Sequence, residues 1–140
     1  MSGTYLVTIC TRNREALLGQ VEDGIMIMSP FGTIVQEEWR GLPTRFSHLQ
    51  LDEFTVVPNH IHGIITLLAW SDPAPTLGTI TGAFKSIADR RCRQHFTSAY
   101  PNSQFGRLWQ RGFHDRVIDD VGELARTREY VRNNVVRWET

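Results

Sequence analysis

Lysine is almost missing from this chain: among 15 basic residues in 140, Lys85 is the only one that is not arginine, and 15 acidic residues bring the formal net charge to zero. No global field draws such a protein onto a polyanion, so any phosphate recognition must be local. Arginine offers a planar fork suited to phosphate and to stacking, although the same imbalance also reads as codon bias in a GC-rich genome. Cysteine is scarce too. Cys10 and Cys92 stand far apart without CxxC spacing, which excludes a disulfide framework and a four-cysteine zinc site. Both read as small buried apolar residues. No apolar run approaches the ~20 residues of a membrane span, and the start, MSGTYLVTIC, lacks the basic region and long apolar stretch of a signal peptide. The expectation is a soluble cytoplasmic protein. Hydrophobic residues at 41% and charged residues at 21% fit a folded globular chain, and 140 residues suffice for one core but not two. A single domain over 1–140 follows.

The residues order themselves into alternating strand and helix signals. Tyr5 to Cys10 is a β-branched and apolar run ending in the polar stretch Thr11 to Arg14, hence a strand and a loop. Val21 to Met28 alternates weakly about Asp23-Gly24, a hairpin turn pair. Ser29 and Pro30 have the form of an N-cap and first helical residue, and Gly41 and Pro43 close that helix. Leu49 to Val56 and His60 to Leu68 form two strands across the turn Pro58-Asn59. After the proline-rich loop Ser71 to Pro75, Thr76 caps a long amphipathic helix with the stripe Leu77, Ile80, Phe84, Ile87, Ala88 and Arg91. A strand is expected around Phe113 to Val117. Asp120-Val-Gly-Glu123 has the form of a capping box, opening a last helix with Val121, Leu124, Val131 and Val135 on its apolar stripe. The order βαββαβ plus a terminal helix predicts an α+β, ferredoxin-like split βαβ sandwich. Its antiparallel sheet carries helices on one face and leaves the other open for substrate.

Pro58-Asn59-His60-Ile61-His62-Gly63 is the most informative stretch. Residues i and i+2 of a strand share a face, so His60 and His62 project side by side and can both offer a ring nitrogen to one divalent ion, with Gly63 leaving room beside them. Taken alone, the pair reads equally as two histidines satisfied by hydrogen bonds. On the last helix, Tyr130 and Asn134 are one turn apart, a phenol able to act as nucleophile and a carboxamide oxygen able to serve as a third, hard metal ligand. The same face holds Arg126, Asn133 and Arg137.

With these residues in place the chain resembles the single-tyrosine HUH transposases, and within them the REP-associated tyrosine transposase group. The resemblance runs through Val7-Thr8-Ile9-Cys10-Thr11 with Arg14 nearby, the VPNHIHGII run from Val57 to Ile65, Leu77-Gly78 with Gly82 to Ser86, Trp109-Gln110-Arg111, Phe113-His114-Asp115, and Tyr130 to Asn134. It implies that His60 and His62 bind a divalent metal, Mg2+ or Mn2+, that Tyr130 attacks DNA to leave a 5′-phosphotyrosine, and that Asn134 is the third ligand. Two positions depart from the family: Val135 replaces a proline after the paired asparagines, which lets the helix continue, and Val57 stands where methionine is frequent.

The expected substrate is single-stranded or hairpin-bearing DNA, with Lys85, Arg90, Arg93, Arg111, Arg116 and Arg126 as phosphate contacts. Trp70 or Phe113 are candidates for stacking unpaired bases. His114 and Asp115 are candidates for orienting a ligand, with a purely structural role for His114 as the alternative. A domesticated hairpin-binding protein that no longer cuts is the competing reading, and an unrelated HxH metalloenzyme a third. Both a monomer closed in cis and a homodimer sharing its tyrosine helices are open.

Overall fold

A computed structural model describes residues 3–68 and 76–138. Trp70 and the loop from Ser71 to Pro75 lie outside the described residues. The strands are β1 (Gly3–Cys10), β2 (Gly19–Glu22), β3 (Ile25–Met28), β4 (Leu49–Val57), β5 (His60–Leu67) and β6 (His114–Ile118). The helices are α1 (Pro30–Arg40), the one-turn α2 (Leu42–Arg45), α3 (Leu77–Ala99) and α4 (Val121–Arg132). β1, β4, β5 and β6 make one antiparallel sheet in the order β4-β5-β1-β6, and β2 and β3 form a separate hairpin. Two outer strands flank two central ones that are distant in sequence, the ferredoxin-like arrangement expected from the order of the elements.

Local chemistry sets most boundaries. Ser29 Oγ accepts from Gly32 N, Thr76 Oγ1 from Thr79 N, and Asp120 Oδ1 from Glu123 N, so each main helix opens on a side-chain cap. At the last of these the returning Glu123 carboxylate takes the Asp119 N–H at 3.4 Å, one residue before the position a strict capping box would use. Asp23 and Gly24 both have positive φ, 53° and 74°, which is the primed turn that a right-twisted hairpin favours.

Strand alternation sorts the sheet into two faces. Val7, Ile9, Ile61 and Ile65 join Trp39 of α1 and Ile80, Phe84 and Ala88 of α3 in the main core. Leu6, Ile64 and Ile118 face the other way and close on Val131 of α4. The open face of the sheet is therefore partly covered by α4. Two ion pairs tie that helix to β4, Arg128 to Asp52 at 2.7 Å and Arg132 to Glu53 at 3.1 Å, where β4 carries a register shift between Leu51 and Phe54.

Three local expectations are corrected. Gly63 does not make room beside the histidines, because it points to the core face, where a Cβ would overlap the Trp39 ring. α4 does not continue through Val135; it ends at Arg132 and residues 133–138 form consecutive turns. Asn133 caps it with φ −93° and ψ 4°, a bridge-region backbone that leaves the helical spiral even though valine replaces proline. Val121, assigned to the apolar stripe, is 83% exposed; the buried part of the stripe begins at Leu124, which packs with Val131 against Leu6, Ile64 and Ile118.

Candidate active site

β1 is the centre of the site because it pairs with both β5 and β6. Thr8 lies opposite His62 on one side and His114 on the other, and Cys10 lies opposite His60. Directly opposed residues share a face, so the histidine pair, Thr8 and His114 all lie on the α4 side of the sheet. Cys10 and Cys92 are buried, and burial pushes the Cys92 thiol up to about 12.

His60 Nε2 and His62 Nε2 converge to 3.0 Å. Two nitrogens each about 2.1 Å from one ion, and set at a right angle about it, would be separated by about 3.0 Å. The other ring nitrogens are occupied. His60 Nδ1 meets Asn59 Oδ1 at 2.7 Å, and Asn59 is oriented by donating from Nδ2 to the Arg14 carbonyl at 3.4 Å. His62 Nδ1 meets Thr8 Oγ1 at 2.8 Å. A histidine whose Nδ1–H is accepted by an oxygen turns an unprotonated Nε2 outward, the form a metal binds. The Thr8 hydroxyl can also donate to His62 Nδ1, which lets His62 Nε2 donate to His60 Nε2; with the proton on His62 Nδ1 instead, both Nε2 lone pairs are free, and the donor set then fits a divalent ion.

Burial lowers both histidines to about 4; the Arg14 charge adds to the effect on His60, and His60 adds to that on His62. Both are thus neutral at physiological pH. Arg14 is exposed, and its backbone and that of Asn13 adopt positive φ, 54° and 49°. This left-handed pair is uncommon outside glycine and turns the chain back toward Pro58-Asn59. Thr11 N and Oγ1 both donate to the Asn59 carbonyl, and Leu18 N donates to the Pro58 carbonyl.

Tyr130 stands beside the pair, its ring centroid 5.4 Å from that of His62, and it is 40% exposed. A cavity of about 430 Å³ opens there, lined by Leu6, Thr8, His62, Arg116, Glu123, Arg126, Thr127 and Tyr130. Arg116 Nη2 donates to Thr127 Oγ1 at 3.3 Å and its Nε lies 3.9 Å from Glu123 Oε1. Phenol, histidine and two guanidinium groups therefore share one concave surface within a single chain. On the His60 side, the Trp138 ring lies 6.0 Å from the imidazole.

The remaining expected site residues fall elsewhere. Asn134 is half-buried in the turns after α4 and hydrogen-bonds to neither histidine, its backbone N–H donating to Val131 O at 3.3 Å. Among the described residues no cluster of three His, Cys, Asp or Glu side chains gathers around the pair or anywhere else. Lys85, Arg90 and Arg93 lie on α3, across the sheet from the histidines. Lys85 Nζ donates to the carbonyls of Gln110 and Gly112, and Arg93 pairs with Asp89 at 2.8 Å. Arg90 and Arg111 are exposed. His114 is exposed in the row of Thr8, whereas Asp115 faces away. Phe113 packs against the main core. Thr8, Asn59 and Arg14 lie in stretches whose resemblance was plain, but their roles depend on strand pairing and loop return. Trp138 gave no local signal.

The fold has counterparts among known proteins. A protein of Haemophilus influenzae, itself uncharacterized, is 30% identical over 155 residues, spanning 98% of this chain and 82% of its own. The structure of a REP-associated tyrosine transposase bound to a REP hairpin superposes with a TM-score of 0.64 at 20% identity, covering 97% of this chain and 68% of that one. A crystal structure described as that of a candidate transposase from Deinococcus radiodurans R1 gives 0.59 at 18% identity, covering 95% and 91%. These two likenesses establish a shared fold. The profile of the family described as "Transposase IS200 like" matches residues 3–134, an extent that takes in β1, the histidine pair, Tyr130 and Asn134, and the chain therefore belongs to the IS200-like transposase family.

Proposed function

We propose that this protein cuts and rejoins hairpin-bearing single-stranded DNA through a covalent 5′-phosphotyrosine at Tyr130, with His60 and His62 holding Mg2+ or Mn2+. The single observation that carries this reading is the convergence of Tyr130, His62 and two arginines on one cavity, with His60 Nε2 held 3.0 Å from His62 Nε2 beside it. Membership in a transposase family and the fold shared with a REP-hairpin-bound relative support hairpin DNA as the substrate. Asn134 is proposed as the third ligand, reaching the ion once DNA is seated.

A divalent ion held there would supply Lewis-acid polarisation of a nonbridging phosphate oxygen. The chain's own residues do the rest. Thr8 and Asn59 keep both imidazoles in the tautomer that presents Nε2. Arg116 and Arg126 neutralise and orient the phosphodiester in the cavity, which lessens its repulsion of an oxygen nucleophile. Tyr130 attacks phosphorus in line with the 3′-oxygen: the Tyr130 Oη–P bond forms, the P–O3′ bond breaks, the phenolic proton passes to solvent and the leaving oxygen takes one up. The phosphotyrosine keeps one phosphodiester bond for the one broken. A second 3′-hydroxyl can reverse the step and join strands without a nucleotide cofactor.

The test is to incubate the protein with labelled single-stranded hairpin DNA from the flanks of its own gene, with Mg2+, with Mn2+ and with chelator. A denaturant-resistant adduct that needs metal and disappears in Tyr130→Phe is the expected result. Tight binding without cleavage under either metal would instead identify a protein that recognises hairpins and no longer cuts.

A further inference from the structure

We propose that Trp138 is a nucleobase-stacking residue, holding the base immediately 5′ of the scissile phosphate. This rests on the strand-cleavage reading above and adds a polarity to the site. The histidine pair has two differently furnished sides: Tyr130 stands against His62 at 5.4 Å and Trp138 against His60 at 6.0 Å. In-line displacement puts the attacking and leaving oxygens on opposite sides of phosphorus. With the phosphate seated at the two Nε2 atoms and Tyr130 entering from the His62 side, the 3′-oxygen departs toward His60, and its nucleotide lies against Trp138.

The indole suits that role. It is 37% exposed, so a face remains free for a base. It is not on a loose end, since Arg137 N donates to Asn133 O and Trp138 N to Val135 O, each at 3.1 Å, winding residues 133–138 into a tied turn. Arg14 is exposed, and its carbonyl accepts from Asn59, the partner of His60 Nδ1, so a cation stands in the loop on the His60 side of the pair. An aromatic face stacks any base without reading its edge, so the contact fixes position while leaving sequence choice to other residues.

The experiment first maps the cleaved bond with wild-type protein on labelled hairpin DNA from the gene's flanks. The oligonucleotide is then remade with an abasic residue just 5′ of that bond, and wild type, Trp138→Ala and Trp138→Phe are compared on both. Removing the base should slow wild-type adduct formation about tenfold or more. Trp138→Ala should lose as much on intact DNA yet nothing further on abasic DNA, and Trp138→Phe should retain most of the rate. The same pattern should appear in binding anisotropy with Tyr130→Phe protein in Mn2+, a readout independent of chemistry. Effects of the two deletions that multiply, or coupling to the base on the 3′ side, would overturn the stacking assignment while leaving cleavage intact. Absence of any wild-type adduct would overturn both.

Discussion

His60 and His62 are more than half-buried bases, and their neutrality has consequences that can be measured. Their folded values lie near 4 against an ordinary 6.5, chiefly because burial disfavours the charged ring. Between those two values the unfolded chain binds protons that the folded chain refuses, so stability is full above about pH 6.5 and declines as pH falls toward 4. Chemical denaturation across that window in chelator should show this slope, and a His60→Asn, His62→Asn variant should flatten it; equal slopes would contradict the assignment. Thr8 acts on the same pair through His62 Nδ1. Thr8→Val removes that partner while keeping shape, and Mn2+ affinity measured by calorimetry should fall roughly 10–100-fold, with Thr8→Ser restoring it. Unchanged affinity in Thr8→Val would show that Thr8 does not orient the ring.

Among the elements, α4 matters most because it carries Tyr130, the proposed nucleophile, and two ion pairs tie it to β4. Arg128 and Arg132 bind it to Asp52 and Glu53 where β4 shifts register. The Arg128 hydrogen bond, outweighing the effect of burial, holds the Asp52 carboxyl below its ordinary 3.8. This contribution to stability is therefore present above that value and disappears as pH falls through the lower folded one. Both arginines are partly exposed, so their removal should affect catalysis more than folding. An Arg128→Ala, Arg132→Ala variant should melt only slightly earlier but form adduct several-fold more slowly, because Tyr130 loses its set position. A large drop in melting temperature with adduct formation unchanged per folded molecule would contradict this. On the opposite face, Gly63→Ala forces a methyl group into the Trp39 ring and should cost about 1–3 kcal/mol in denaturant unfolding.

For the molecule as a whole, the order of the elements was enough to read the sheet architecture, and the rest of what could be read from sequence was local. The Pro58-Asn59 turn, the shared face of His60 and His62, and the caps at Ser29, Thr76 and Asp120 each depend on residues a few positions apart, and each formed as expected. Relations across long separations were not legible: that β1 would bring Thr8 to His62, that α4 would cross the sheet face opposite α1 and α3, and that the turns after Arg132 would set Trp138 against His60. α2 was hidden because Pro43, which reads as a helix stop, here occupies the second position of a new one-turn helix. Lys85 looked like a phosphate contact because its amphipathic helix turns it outward, yet loop 110–112 returns to occupy its ammonium group. Such returns are tertiary and leave no periodic trace.

The most direct measurement is the chemical identity of the attachment site. Protein incubated with Mn2+ and hairpin DNA from its own flanks would be denatured, treated with nuclease and trypsin, and read by mass spectrometry. The peptide Glu129 to Arg132 should carry a 5′-linked nucleotide on Tyr130, and chelator should abolish it. A nucleotide on Tyr5 or Tyr100, or cleaved DNA with no nucleotide on any tyrosine, would contradict it.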